Sequence, residues 1–180
     1  MQDNQRQTQW QYIAGVMDSD GCFMITKHNR KTLKRATERY NKHQWSATYF
    51  PCVKIGMVEP QAVNYVLLST GFGKIYITGT RPSRPNSLPM IEWFTRKKEE
   101  IIPFIEKILP FLKVKKRRAI FLLDYCNGIR PCAIPYYGLS EDELNYREDS
   151  YKKMRELNGN KVAAETKPLK RENVSDSPTI

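Results

Sequence analysis

The chain has 180 residues and carries 30 Lys and Arg against 19 Asp and Glu, a net charge of +11 with a pI near 9.5. That length holds one domain with a hydrophobic core, or two small ones, and no apolar run approaches the ~18 residues that a membrane span needs. The charge favours a polyanionic partner, and the four scattered cysteines show neither zinc-ligand nor redox spacing.

The start, MQDNQRQTQW, is polar and lacks the apolar centre of a signal peptide. The expectation is a soluble, intracellular protein, with an organelle and a prokaryotic cytoplasm both compatible, and with Cys22 and Cys52 as buried reduced thiols. Trp10, Ile13 and Met17, with Tyr12 and Val16, recur at three and four and predict a helix over about 8–17. After Gly21 the period becomes two. A strand over 22–28 puts Phe23 and Ile25 on one face and Met24, Thr26 and His28 on the other. From Lys27 to Lys42 there are seven basic residues and one acid, Glu38, so about 29–43 reads as a basic connection between strands. A second strand covers about 44–55, with Pro51 implying an edge position or a bulge.

Glu59-Pro60 opens a helix to about Ser69, and Gly71-Phe72-Gly73 stops it. Residues 74–78 and 88–95 read as a strand pair about a turn at 81–87. Helices are expected over 100–111, with Pro103 tolerable only near its first turn, and over 115–127. Ser140-x-x-Glu143 is a capping box that opens a last helix to about Leu157. From Asn160 the chain is polar and aperiodic, a disordered tail; residues 1–158 form the single domain. The order defines an α+β protein, with two hairpins in one antiparallel sheet, helices on one face and the other face open.

Two acids close the first helix: Asp18 and Asp20 in Ile13-Ala14-Gly15-Val16-Met17-Asp18-Ser19-Asp20-Gly21. As turn residues before a strand they are ordinary. At the negative end of a helix dipole, however, each costs about 0.3–1 kcal/mol, which a divalent cation would offset. Magnesium takes one or two carboxylates and leaves other positions to water and phosphate. A metal is thus a means of holding an acid against a phosphodiester.

The nine-residue stretch IAGVMDSDG resembles the LAGLIDADG motif of the homing endonucleases. The element order resembles that family's αββαββα core, with a saddle-like antiparallel sheet and extra C-terminal helices. Gly71-Phe72-Gly73 looks like its helix-to-third-strand turn, and Leu109 to Lys115 is similar to the segment that delivers a lysine to the active site in single-motif members. No second copy of the motif is present.

The resemblance implies a homodimer that makes a metal-dependent double-strand break in a long, roughly palindromic DNA site, or, as an alternative, an intron RNA splicing cofactor or a cleavage-deficient DNA-binding protein. It implies that Asp20 binds Mg2+ (or another divalent ion such as Mn2+), with the Ser19 carbonyl as a backbone ligand, and that Lys115 stabilises charge on the phosphate. The motif helices would pack on a twofold axis through Ile13, Ala14 and Gly15, with Asp18 at the helix end. Ile55 stands where the family often has a polar, water-positioning side chain; Lys54 is its candidate substitute. Alternation places Met24, Thr26, His28, Ser46, Thr48, Tyr76 and Thr78 on the DNA-reading face, with Lys54, and puts Arg30, Arg81 and Arg84 at the strand tips. Lys34, Arg35, Lys116 and Arg117 suit phosphate contacts.

Overall fold

The computed structural model describes residues 2–28, 47–79, 86, 88–130 and 139–159, with side chains from residue 6 onward. In chain order the elements are α1 (Gln2–Ser19), β1 (Gly21–His28), β2 (Thr48–Met57), α2 (Pro60–Thr70), β3 (Lys74–Thr78), β4 (Met90–Thr95), α3 (Lys98–Ile108), α4 (Lys116–Gly128) and α5 (Glu141–Leu157). The strands form one antiparallel sheet in the order β1-β2-β4-β3. The expected α+β architecture is therefore present, with five helices and four strands among the described residues. None of these helices is long and apolar enough to cross a membrane. The basic connection around 29–43, the turn at 81–85 and the tail from residue 160 lie outside the described residues.

Period-two alternation places the core. Phe23, Ile25, Val53, Ile55 and Trp93 occupy odd positions, and all are buried in the cluster that the helices cover. The helices add Ile13, Met17, Val63, Val66, Ile101, Phe104, Ile105, Ile108, Leu122 and Tyr125 from their inward faces. Pro51 sits where β2 pairs with β1 alone; the ladder with β4 begins only at Val53, so the missing amide costs no bond on that side. Ser140 caps α5 by accepting from the Glu143 amide, as the capping box predicts.

Three expectations shift. α1 begins at Gln2 instead of near Thr8, because its polar first turns contribute no apolar period yet suit a helix. Pro103 lies beyond the first turn of α3, which starts at Lys98; the buried Ile101, Phe104, Ile105 and Ile108 hold that helix through the lost bond. Cys22 is half-buried, while Cys52 is buried, and both are free; Cys126, also free and buried, is pushed by its burial up to about 12.

The α2–β3 turn is set by two glycines in the left-handed region, Gly71 at φ 72° and Gly73 at φ 88°. A Cβ on Gly73 would lie 2.3 Å from Trp93 Nε1, the group that donates to the Phe72 carbonyl at 2.9 Å. Backbone sign and space therefore both require glycine. Gly73→Ala should destabilise the protein by about 2–4 kcal/mol, combining overpacking with left-handed strain, and a thermal melt of the two proteins measures it.

Candidate active site and nucleic-acid face

The end of α1 and the entry to α4 are joined by a two-way exchange. Asp18 Oδ2 accepts from the amides of Lys113 (2.6 Å) and Val114 (3.2 Å), and Oδ1 from that of Lys115 (2.8 Å). In return, Lys115 Nζ donates to the carbonyls of Ser19 (2.8 Å) and Gly21 (2.6 Å), on either side of Asp20. Partial burial pulls the Asp18 carboxyl upward, but the three amides and the Lys115 charge outweigh it and hold it below the ordinary value. Burial, then the Arg118 charge, pushes the Lys115 ammonium below the usual lysine value against Cys22, Asp18 and Asp20. The offset expected from a cation is thus supplied to Asp18 by the protein itself.

Asp20 is different. It is exposed, and its one side-chain bond among the described residues is to Ser19 Oγ, which donates at 2.8 Å to Oδ2 and 3.1 Å to the Val16 carbonyl. No group of three His, Cys, Asp or Glu side chains gathers among the described residues. One chain therefore presents a single outward carboxylate beside a fixed ammonium. The Ser19 carbonyl, the expected backbone metal ligand, already accepts from Lys115 and keeps its second lone pair.

The two motif glycines have opposite surroundings. A Cβ on buried Gly21 would lie 2.6 Å from Met17 Cα, so packing of β1 on α1 excludes any side chain. A Cβ on exposed Gly15 would meet nothing within 4 Å among the described residues. Ile13 and Ala14, expected at a dimer interface, are 0% exposed within the single chain. This is a correction: they pack inward, and the outward stripe of α1 is Tyr12, Gly15 and Ser19, with Tyr12 edge-on to Tyr65 of α2 at 5.0 Å.

The open sheet face carries Met24, Thr26, His28, Thr48, Lys54, Tyr76 and Thr78 together, since cross-strand partners share a face. Thr26, Thr48 and Thr78 donate their hydroxyl protons to the carbonyls of Phe50, His28 and Met90, and keep acceptor capacity outward. Lys54 pairs with Glu92 at 3.0 Å. Ile55 is 0% exposed, packed in the core on the opposite side of the sheet from Lys54. Glu92 is the functional-face residue that sequence reasoning omitted; alternation of Met90, Glu92 and Phe94 in β4 was the signal for it. Lys116 and Arg117 are exposed on the first turn of α4, which holds no acid. Arg30, Lys34, Arg35, Ser46, Arg81 and Arg84 lie outside the described residues.

This arrangement is the fold of the LAGLIDADG homing endonucleases. The chain superposes on I-CvuI with a TM-score of 0.63 at 17% identity, over 85% of this chain and 83% of that one; I-CvuI has been crystallised with the I-CreI target uncleaved in 2 mM Mg and with its own target in 2 mM Ca. It matches an archaeal intron-encoded homing endonuclease complexed with DNA at TM-score 0.60 and 15% identity, over 83% and 84% of the two chains. It matches the homing endonuclease I-TnaI at TM-score 0.50 and 16% identity, over 84% and 94%. No family profile matches the sequence, and no curated protein matches it.

Because the folded Asp18 carboxyl lies below its ordinary value, its contribution to stability is complete above about pH 4, the unfolded value, and is lost as pH falls through the lower folded value. Asp18→Asn should cost about 1–3 kcal/mol at pH 7, the scale of charge-assisted bonds to a carboxylate. It should also flatten the acid limb of the stability profile. Urea melts of both proteins between pH 7 and pH 3 test this.

Proposed function

We propose that the protein is a site-specific, divalent-metal-dependent DNA endonuclease that acts as a homodimer. The observation that carries this reading is the exposed Asp20 carboxylate beside a Lys115 ammonium pinned to both flanking carbonyls, at the head of the strand that opens the sheet's free face. The donors fit a hard cation: one carboxylate and one carbonyl per chain, with phosphate and water completing the shell. Asp20 and Ser19 would hold it, and a bound Mg2+ would supply Lewis-acid polarisation of the phosphate and an activated water.

The rest falls to the chain's own groups. Lys115, fixed by two carbonyls, holds a positive charge where negative charge develops on the phosphate, and costs no reorganisation at that moment. Asp18 holds the backbone that carries Lys115. Lys116 and Arg117 stand at the positive end of α4, where cations are disfavoured by about 0.3–1 kcal/mol each; a DNA phosphate relieves both terms at once. The outward threonines of the sheet, with Lys54, Glu92 and Tyr76, offer donors and acceptors of the kind that read base edges in a major groove.

Dimerisation explains Gly15. Glycine in an exposed helix interior costs about 1 kcal/mol relative to alanine, and nothing among the described residues needs the space. A second α1 crossing at that point does. Two chains then place two Asp20 carboxylates at one axis, one for each DNA strand.

Two experiments test this. With Mg2+ and a randomised duplex library, the wild type should select and cut one site; Asp20→Asn should bind that site with unchanged affinity and cut it at least about 100-fold more slowly, and undiminished cutting would remove Asp20 from the chemistry. Gly15→Leu should sediment as a monomer at concentrations where the wild type is a dimer, with no loss of helix content; a persisting dimer places the interface elsewhere.

A further inference from the structure

β1 is an edge of the sheet, and its outer side is not bare. A groove of about 540 Å3 runs along it, from Gly21 and Lys115 at the catalytic corner to His28 at the far end, with the last turns of α5 as the opposite wall. Among the described residues that line it there is no Asp or Glu, while Lys27, His28, Lys115, Arg118 and Arg155 all do. α5 is otherwise rich in acids: Glu141, Asp142, Glu143, Glu148, Asp149 and Glu156. None of these lines the groove. Glu148 does face β1, but its carboxylate is taken up by Lys27, while Arg155, about two turns further on, lines the groove.

The two arginines are held in place. Arg118 Nε donates to the Leu157 carbonyl at 2.9 Å, and the Arg155 guanidinium lies 5.7 Å from the Tyr151 ring centre, with its NH1 3.5 Å from the Tyr151 hydroxyl. Each anchor uses one edge of a five-donor fork and leaves other N–H groups for a ligand. Asn158 closes the wall at the catalytic end, where its amide donates to the Phe23 carbonyl at 2.9 Å. Lys27 is already consumed by Glu148 at 2.7 Å. The groove's available charge is therefore Lys115, Arg118 and Arg155, in an open trough continuous with the site of cleavage.

We infer that the helix-side wall of this trough, with Arg118 and Arg155 beside the β1 edge of the open sheet face, is a further nucleic-acid contact, which takes the phosphodiester backbone of the cut strand as it leaves the catalytic corner. The inference rests on the DNA-endonuclease reading. Its ligand is the backbone and not the bases: Met24, Thr26 and His28 on the β1 wall belong to the open face, while Arg118 and Arg155 opposite offer cationic donors on a shallow surface, which positions a strand without reading its sequence. Arg155 makes a phosphate contact there.

The test compares Arg155→Gln, which keeps the stem on Tyr151, with Lys152→Gln, which removes one positive charge from the same helix outside the groove. Binding of duplex DNA is measured in Ca2+ against KCl, together with phosphate-ethylation interference. Arg155→Gln should lower the salt slope by about 1, so that from 50 to 200 mM salt its affinity falls about threefold less than the wild type's. It should do so equally on selected and unrelated duplexes and erase interference at one phosphate flanking the cut, while Lys152→Gln changes none of these. Equal slopes for wild type and Arg155→Gln, equal losses for both variants, or a loss confined to RNA would each overturn the groove assignment. A wild type that binds no duplex at all would instead remove the endonuclease reading beneath it.

Discussion

The structure turns on the reciprocal exchange between the end of α1 and the entry to α4. One carboxylate collects three consecutive backbone amides, and the lysine carried by the third of them returns its ammonium to two carbonyls beside the next carboxylate. Residues about 95 positions apart are thereby fixed to each other by five hydrogen bonds. The two acids of the motif, adjacent but for one serine, separate in role as a result. Asp18 is spent on architecture, and Asp20 is left outward with its charge uncommitted. A helix end that ought to repel both acids accommodates one through amides and leaves the other exposed.

The same economy governs the remaining charge. Buried or half-buried acids serve as struts that face cations of the same chain. Glu143 accepts from Arg147 at 2.6 Å and from the Arg130 amide at 3.1 Å, which ties the end of α4 to α5. Glu148 holds Lys27 and the Tyr49 hydroxyl, which ties α5 to the first hairpin. Acids employed in this way leave the positive excess on the outside. Burial and hydrogen bonding thus separate charge that the sequence interleaves.

The first hairpin, the Gly71–Gly73 turn and the capped α5 were legible because each rests on a local rule: alternation, left-handed glycine, or serine three residues before glutamate. The approach of Lys115 to the end of α1 was legible through the motif and the lysine segment together. The inward turn of Ile13 and Ala14 was not. α1 is apolar on more than one side, so periodicity alone leaves open which side meets its own sheet and which a partner; burial decides it. The start of α1 was hidden for the opposite reason, since its first turns are polar throughout. The place of Ile55 depended on strand register, where one residue exchanges the faces, and pairing with Gly21 and Trp93 assigns it to the core. The groove beside β1 had no sequence signal, because its two walls are more than a hundred residues apart.

One peripheral feature bears on how such a protein changes over evolutionary time. β3 is the outermost strand, hydrogen-bonded only to β4, and none of its five residues is buried; Tyr76 and Ile77 are 59% and 62% exposed. Substitutions there cost little folding energy, because no side chain is lost from the interior. The Asp18–Lys115 exchange lies at the opposite edge of the sheet, at the start of β1. Sequence drift in β3 can therefore reshape that outer surface while the Asp18–Lys115 exchange at the far edge stays intact, a modular separation of a variable rim from a fixed corner.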